Sequence, residues 1–142
     1  MPLTQADEYL THQTPYTFDT VGTSDRNFYD RYFFNGYRRD GEVYFAVAMG
    51  LYPNLGVFDC AFSVVHNGRQ RFVRASRALG SDRMNTSAGA ISVEVIEPLR
   101  RIRVTVAPNP TTRAVCSVTW PDRLASNGSD LRALAWCSLR WV

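Results

Sequence analysis

The sequence contains no lysine, and all sixteen of its basic residues are arginine. Thirteen acidic residues leave a formal net charge of +3. Proteins that bind nucleic acids usually use both basic residue types, because lysine serves well as a point charge for phosphate. The absence of lysine instead indicates the codon usage of a GC-rich genome, and we predict no nucleic-acid partner.

Cysteine and histidine are also scarce, with three and two residues in the chain. Cys60, Cys116 and Cys137 form no CxxC pair, and their spacing is not that of a zinc site. An odd number of cysteines is atypical of a secreted, disulfide-bonded scaffold. We therefore predict a reduced, cytoplasmic protein that needs neither a metal nor a cofactor.

Long apolar runs are missing as well. No stretch approaches the roughly 20 apolar residues of a membrane-spanning helix. The first sixteen residues lack the charged and apolar regions of a signal peptide. Glycine-rich nucleotide loops, the GxSxG sequence of serine hydrolases and EF-hand loops do not occur. These absences predict a soluble chain that contains none of the common catalytic motifs.

The composition that remains is typical of one globular, β-rich domain. The chain has 142 residues, of which 45% are hydrophobic and 13% aromatic. This length supports one hydrophobic core, and aromatic side chains fit the pleated, half-buried surface of a strand. The predicted fold class is therefore all-β.

Two hairpin signals indicate an antiparallel meander. Asp40-Gly41 follows the aromatic stretch 28–38, and Asn67-Gly68 follows the alternating stretch 57–66. Their predicted return strands cover residues 42–49 and 69–78. In the first of these, Val43, Phe45, Val47 and Met49 share one face, opposite a face of smaller and more polar residues.

Further alternation predicts strands at 91–97, 100–106 and 113–120, and we expect loops at 50–56 and 79–90. This pattern divides the chain into three parts. Residues 1–26 form a polar, extended lead-in, residues 27–108 form the antiparallel β domain, and residues 109–142 are uncertain.

The last part of the chain has a different composition. Trp120, Trp136 and Trp141 are the only tryptophans, and glutamate does not occur after Glu97. Ser129-Asp130 can cap a short helix that would continue to Val142. The change in composition suggests a truncation or a shifted reading frame near residues 110–120, a hypothesis that the coding DNA would decide.

Two aspartates are candidates for acid catalysis, and both lie within strands beside aromatic residues. If Asp30 or Asp59 faced an apolar cavity, its carboxyl pKa would rise and it could exchange protons. An outward-facing charge or an ion pair explains either residue more simply. His66, before the Asn67-Gly68 turn, has no partners at catalytic or metal-binding spacing, so we predict a partly exposed histidine at a strand end.

Arginines are concentrated in the predicted strand 69–78. Arg69 and Arg71 share one strand face and Arg74 lies on the other, and Arg77 completes the group. Because the charges divide between the faces, the pattern does not form a continuous basic stripe. We interpret the group as a solvated strand face and not as a phosphate site.

Several short sequences resemble a known family. They are NFY at 27–29, YFFNGY at 32–37, GLYPN at 50–54, NG at 67–68 and IEPL at 96–99. Together, over residues 15–108, they resemble the N-terminal half of the AttH-like family, which is related to hydroxyneurosporene synthase (carotenoid hydratase) and to tocopherol-cyclase-like proteins. Residues 109–142 do not resemble it.

The resemblance implies a lipocalin-like (calycin) barrel or half-barrel and a function in binding an apolar small molecule, such as an isoprenoid or acyl compound. Such a chain would be one part of a larger two-barrel protein, packed against a second barrel half or another chain. The lumen would be lined by aromatic residues. The candidates are Phe28, Phe33, Phe45, Phe58 and Phe62.

Two alternatives stay open. Enzymatic relatives hydrate or cyclise isoprenoids by acid catalysis, which would make this chain a carotenoid hydratase-like lyase. Asp30 and Asp59 would then be the candidate acids, although the resemblance assigns the role to neither. The other alternative is a protein-interaction module in which the aromatic strand 28–37 pairs with another chain by edge addition.

Overall fold

The computed structural model describes residues 4–11, 16–38 and 40–110, together with the backbone of residues 114–119 and 136–141. Short 3-10 helices span Gln5–Glu8 and Pro53–Leu55. All other regular elements in this part of the chain are strands: β1 Asp30–Tyr37, β2 Val43–Tyr52, β3 Val57–His66, β4 Arg69–Ala78, β5 Ser87–Ala88, β6 Ile91–Glu97, β7 Arg101–Val106, β8 Ala114–Thr119 and β9 Trp136–Trp141.

The strands form two antiparallel meanders, which confirms the predicted all-β class. The first sheet has the order β1-β2-β3-β4, and the second sheet has the order β5-β6-β7-β8-β9. Within the part of the chain that the structure describes, no hydrogen-bonded ladder joins one sheet to the other. These strands therefore form two separate sheets, and barrel closure is not observed.

Two of the three hairpins of the first sheet occur where the sequence predicts them. Asn67 and Gly68 have φ angles of 51° and 68°, the left-handed pair that a two-residue type I′ turn requires. Gly41 has φ 76° at the other hairpin. The strand that precedes Asn67 and the strand that follows Gly68 have the predicted bounds, because local turn chemistry fixes both ends.

The predicted loop at 50–56 is too long. Strand β2 continues to Tyr52, with Gly50 opposite Arg31 and Leu51 opposite Asp30. Leu51 is fully buried, and its contribution to the core explains why the strand does not end at Met49. The predicted loop at 79–90 likewise contains a short strand, β5, which pairs with β6.

The core lies on the inner face of the first sheet, toward the second sheet. Alternate residues of β1, β2 and β3 are buried, and they form one hydrophobic cluster with alternate residues of β6 and β7. The largest fully buried side chains of this cluster are Phe18, Phe45, Phe58, Phe62, Met49 and Leu51.

The N-terminal strap (residues 4–11 and 16–28) is part of this core. Leu10 and Phe18 are almost completely buried, and the Tyr32 hydroxyl donates a hydrogen bond to the Glu8 carbonyl at 2.8 Å. The Arg83 guanidinium donates to the carbonyls of Leu10 and Tyr16 at 2.9 and 2.7 Å. Leu10 and Phe18 belong to the same hydrophobic cluster as the strands, so the strap packs against the domain that was expected to begin at residue 27. The polar composition of the strap gives no indication of these two buried residues.

The C-terminal strands extend the second sheet. Strand β8 pairs with β7 from Arg103↔Thr119 to Val106↔Cys116, and β9 pairs with β8 over its whole length. A helix continuing to Val142 is therefore wrong for residues 136–141, whose backbone bonds are made with β8. Residues 129–135 of that expected helix lie outside the described residues.

Candidate binding surface

The outer face of the first sheet carries exposed aromatic side chains. Phe33 on β1 is 54% exposed and Phe72 on β4 is 57% exposed, although each sits in the middle of a strand. These two residues flank a concave surface of about 320 Å³, which we call the aromatic trough. It is lined by Phe33, Ala46, Ala48, Ala61, Phe62, Ser63, Gln70, Phe72 and Arg74.

The strand register explains why this surface is concave. Phe33 lies in one cross-strand row with Ala48, Ala61 and Arg74. The short alanines belong to the two central strands and the long side chains to the two edge strands. Three strand spacings separate Phe33 from Arg74, which places their Cα atoms about 14 Å apart. The trough is therefore wide enough for a flat ring system lying on the alanines.

Arginine guanidinium groups lie on the aromatic walls. The Arg74 guanidinium is 5.8 Å from the centroid of the Phe72 ring, and the Arg31 guanidinium is 6.0 Å from that of Phe33. At these distances a cation is attracted to the ring face. No carboxylate among the residues that the structure describes forms an ion pair with either arginine.

Polar side chains lie beside the alanines on the same face. The Gln70 side-chain amide donates a hydrogen bond to the Ser63 hydroxyl at 2.9 Å. This bond orients the amide and leaves the Gln70 carbonyl oxygen available as an acceptor. The trough thus combines an apolar floor and walls with a few positioned polar groups, as small-molecule sites do.

A second cleft, of about 420 Å³, lies beside the N-terminal strap and contains Tyr9, Tyr32, Arg83 and Glu94. Its polar groups are engaged in the fold: the Tyr32 hydroxyl and the Arg83 guanidinium bind strap carbonyls, and Glu94 forms an ion pair with Arg103 at 3.1 Å. Burial raises the pKa of Tyr32 above its ordinary value and keeps the phenol protonated. We therefore favour the trough as the functional surface.

The two candidate acids lie on opposite faces of the first sheet. The Asp30 carboxylate accepts hydrogen bonds from the Thr11 and Arg31 backbone amides at 2.7 and 2.8 Å, so it anchors the strap. Asp59 belongs to the outer face, opposite Gly50 in the register. The structure does not bring the two carboxylates together.

The five phenylalanines predicted to line one lumen do not share one surface. Phe45, Phe58 and Phe62 are fully buried in the core, with the Phe45 and Phe62 rings stacked at 6.4 Å between centroids. Phe33 lies on the outer face, and Phe28 is half-buried ahead of β1. The sequence interpretation grouped them by residue type, whereas the alternation of the strand separates Phe33 from the buried set.

The arginines of β4 divide between the faces as predicted, with Arg74 opposite in direction to Arg77. The Arg77 guanidinium donates to the carbonyls of Ser87 and Asn85 at 2.7 and 2.6 Å and lies 4.4 Å from the Phe58 ring centroid. It therefore connects β4 to the segment that leads into the second sheet. His66 is half-buried at the strand end, where it pairs in register with Arg69.

Cys60 is buried between the sheets, and its thiol donates a hydrogen bond to the Ala88 carbonyl at 3.3 Å. Burial raises the pKa of this thiol to about 11, so it stays protonated at neutral pH. Among the residues that the structure describes, no three histidine, cysteine, aspartate or glutamate side chains are grouped as a metal site requires.

Sequence reasoning did not identify Phe72. The composition of its strand predicts a solvated face, and that prediction assigns no role to the single phenylalanine. The signal that could have found it is the alternation of β4, which places Phe72 between Gln70 and Arg74 on a face of otherwise polar residues. Phe72 is informative because it adjoins the same concave surface as Phe33, so the two rings form a patch and are not isolated exposed residues.

A family model described as "Family of unknown function (DUF8625)" matches residues 3–134. No curated protein and no solved structure matches the chain. The family match continues past residues 110–120, which argues against a shifted reading frame at that point. The resemblance to the AttH-like family stays a prediction. In the described part of the chain, no helix is long and apolar enough to span a membrane.

Proposed function

The chain belongs to this family of unknown function, and we propose that it binds a flat, largely apolar small molecule in the aromatic trough. The observation that carries the proposal is the pair of exposed phenylalanines, Phe33 and Phe72, on either side of a concave alanine floor. Stacking a ring system against them removes apolar surface from water on both partners.

The size of the trough restricts the ligand. Its volume of about 320 Å³ lies at the lower end of small-molecule sites. A compact system of two or three rings fills such a space, whereas a long isoprenoid or acyl chain extends beyond it. Each 100 Å² of apolar surface covered contributes about 2.5 kcal/mol before the costs of association, so we expect micromolar affinity at best.

The proposal keeps the expected apolar small molecule, replaces the isoprenoid or acyl chain by a compact ring system, and moves the site from a barrel lumen to the outer face of the first sheet. The buried phenylalanines of the expected lumen pack against one another and against the second sheet. By contrast, the trough is accessible without any rearrangement of the core.

The test is a fluorescence titration with N-phenyl-1-naphthylamine, a neutral probe whose emission rises in an apolar site. We expect the double variant Phe33→Ser, Phe72→Ser to bind at least about tenfold more weakly, since two stacking contacts of about 1 kcal/mol each are lost. Tyr37→Ser, on β1 but outside the trough, is the matched control and should bind normally. Unchanged affinity in the double variant would overturn the proposal.

The other expectations stay proposals with less support. Acid catalysis gains nothing from Asp30, whose carboxylate anchors the strap. A cytoplasmic location is consistent with the odd number of cysteines and with the free, buried thiol of Cys60. Packing against a second barrel half or another chain is a further possibility for the strand edges, and sedimentation of the purified protein would test it.

A further inference from the structure

We infer that the ligand of the aromatic trough is an organic anion, with its ring system on the alanine floor and its acidic group bound by Arg74. This inference rests on the proposed function and adds the chemical class of the ligand. Carboxylate, sulfonate and phosphate groups each present two oxygens on one atom, which a guanidinium group binds with two parallel hydrogen bonds.

Arg74 is the charged side chain that lines the trough. It lies at the opposite end of the cross-strand row that begins at Phe33, so a ring system stacked near Phe33 can extend toward it. Its guanidinium lies 5.8 Å from the Phe72 ring centroid. Contact with the ring restricts the long side chain, which lowers the entropy lost when an anion binds.

Several arginines elsewhere in the described structure already bind acidic side chains or backbone carbonyls. Arg38 forms ion pairs with Asp40 and Glu42, and Arg103 with Glu94. The donors of Arg77 and Arg83 are bound to backbone carbonyls. Arg74 and Arg31 are different, because among the described residues they contact aromatic rings and no carboxylate. Arg74, which lines the trough, therefore forms no ion pair with a carboxylate among the described residues.

Asp59 is the acidic residue closest to Arg74 in the register, since it stands opposite Ser76, two residues along the same strand face. Its carboxylate points away from Arg74. One oxygen lies 3.1 Å from the position that a Cβ atom on Gly50 would occupy, over the neighbouring strand β2. Asp59 thus leaves the Arg74 guanidinium available to a ligand.

A small acid fits this surface better than a nucleic-acid strand. A single strand that crosses a protein surface is held by several cationic groups along its backbone. The outer face of the first sheet offers only Arg31 and Arg74 on its described strands, and Asp59 stands in the same cross-strand row as Arg31. A ligand with one ring system and one anionic group matches the apolar surface of the trough and its single charged side chain, Arg74.

The experiment compares two probes that differ by one group. 8-Anilinonaphthalene-1-sulfonate has the skeleton of N-phenyl-1-naphthylamine with a sulfonate added. We expect the folded chain to bind the sulfonate about fivefold more tightly, the upper end for a single charge-assisted contact near the surface. Arg74→Gln should remove that advantage, so that the variant binds the two probes with about equal affinity.

Arg69→Gln is the matched control, because Arg69 is exposed on the same strand but does not line the trough. It removes the same charge and should change sulfonate binding by less than about twofold. If Arg74→Gln leaves sulfonate binding unchanged, or if Arg69→Gln weakens it equally, the inference is overturned while the proposed function stands.

Failure of the proposed function looks different, since both probes would then bind independently of Phe33 and Phe72. A further titration compares oligothymidylate with thymidine monophosphate, because a nucleic-acid strand also carries rings and anionic groups. If the oligonucleotide binds far more tightly than thymidine monophosphate and loses that advantage in Arg74→Gln, the ligand is a nucleic acid and the inference of a small acid is wrong.

Discussion

The two faces of the first sheet both carry phenylalanines, but the side chains are buried on one face and exposed on the other. Phe45 and Phe62 belong to the inner face and are almost completely shielded from water, whereas Phe33 and Phe72 belong to the outer face and are more than half exposed. All four lie in regular antiparallel strands, and only the alternation of the chain separates them. The second sheet and the N-terminal strap cover one face and leave the other open.

The inner phenylalanines therefore contribute to the stability of the fold, and the outer ones are available for binding. An inner phenylalanine contributes buried apolar area to the core, so its removal leaves a cavity. An outer phenylalanine contributes little to the folded state, and its exposed ring has a role only when something covers it. The arginines repeat the contrast, since Arg77 binds carbonyls at the junction of the sheets and Arg74 faces the trough.

The largest expected effect is on stability. Phe45→Ala should lower the free energy of unfolding by about 3–5 kcal/mol, because it leaves a cavity beside Phe62 in a closely packed core. Phe33→Ala should change it by less than about 0.5 kcal/mol. Urea unfolding of both variants measures the difference, and equal losses would contradict the assignment of the two faces.

The contact between the sheets gives the next effect. A Cβ atom on Gly89 would lie 2.6 Å from the Ala75 Cβ, and Gly89 has φ 55°, so Gly89→Ala should cost about 2–4 kcal/mol. Gly68 has φ 68° with nothing within 4 Å of an added Cβ, so Gly68→Ala isolates the backbone cost of about 1 kcal/mol. Thermal unfolding measures the loss of stability in each variant. Equal losses in Gly89→Ala and Gly68→Ala would show that the contact between Gly89 and Ala75 does not contribute to stability.

Arginine substitution on β4 should give a smaller contrast. Arg77→Gln removes donors from the Ser87 and Asn85 carbonyls and should destabilise the chain by about 2 kcal/mol. Arg74→Gln, three positions away on the other face, should fall within about 0.5 kcal/mol of the unmodified chain. Comparable losses in chemical denaturation would indicate that Arg74 is structural, which would weaken its assignment to the ligand.

The smallest effect depends on pH. The buried Cys60 thiol has its pKa raised to about 11, whereas an unfolded cysteine titrates near 8.5. The unfolded chain therefore loses this proton first as the pH rises, and the contribution to stability, complete below about pH 8.5, declines toward pH 11. Unfolding free energies at intervals up to about pH 10 should fall less steeply in Cys60→Ala. Parallel curves would show that Cys60 is not shielded by the fold.

Much of the first sheet could be predicted because its signals are local. Asn67-Gly68 specifies a tight turn, and strict alternation on either side specifies two strands whose bounds the structure confirms. The same alternation identifies Val43, Phe45, Val47 and Met49 as one face. A pattern with period two states which residues share a face, but it does not state which face another sheet will cover.

The remaining features depend on contacts between distant parts of the chain. Leu10 and Phe18 stand in a polar stretch without periodicity, and their burial follows from hydrogen bonds to Tyr32, Arg83 and other residues far along the sequence. The trough also depends on four strands in register, because Phe33 and Phe72 are separated by three hairpins. No single segment of the sequence therefore predicts the burial of Leu10 and Phe18 or the formation of the trough.

The most direct test of the trough is an NMR titration of the chain labelled at its alanine methyl groups, with N-phenyl-1-naphthylamine as the ligand. Ala46, Ala48 and Ala61 form the floor of the trough, whereas Ala88 is buried in the core behind the sheet. Binding in the trough predicts saturable shifts of the three floor methyls and an unmoved Ala88 signal. Shifts centred on Ala88, with the floor methyls unchanged, would place the ligand between the sheets and contradict the account.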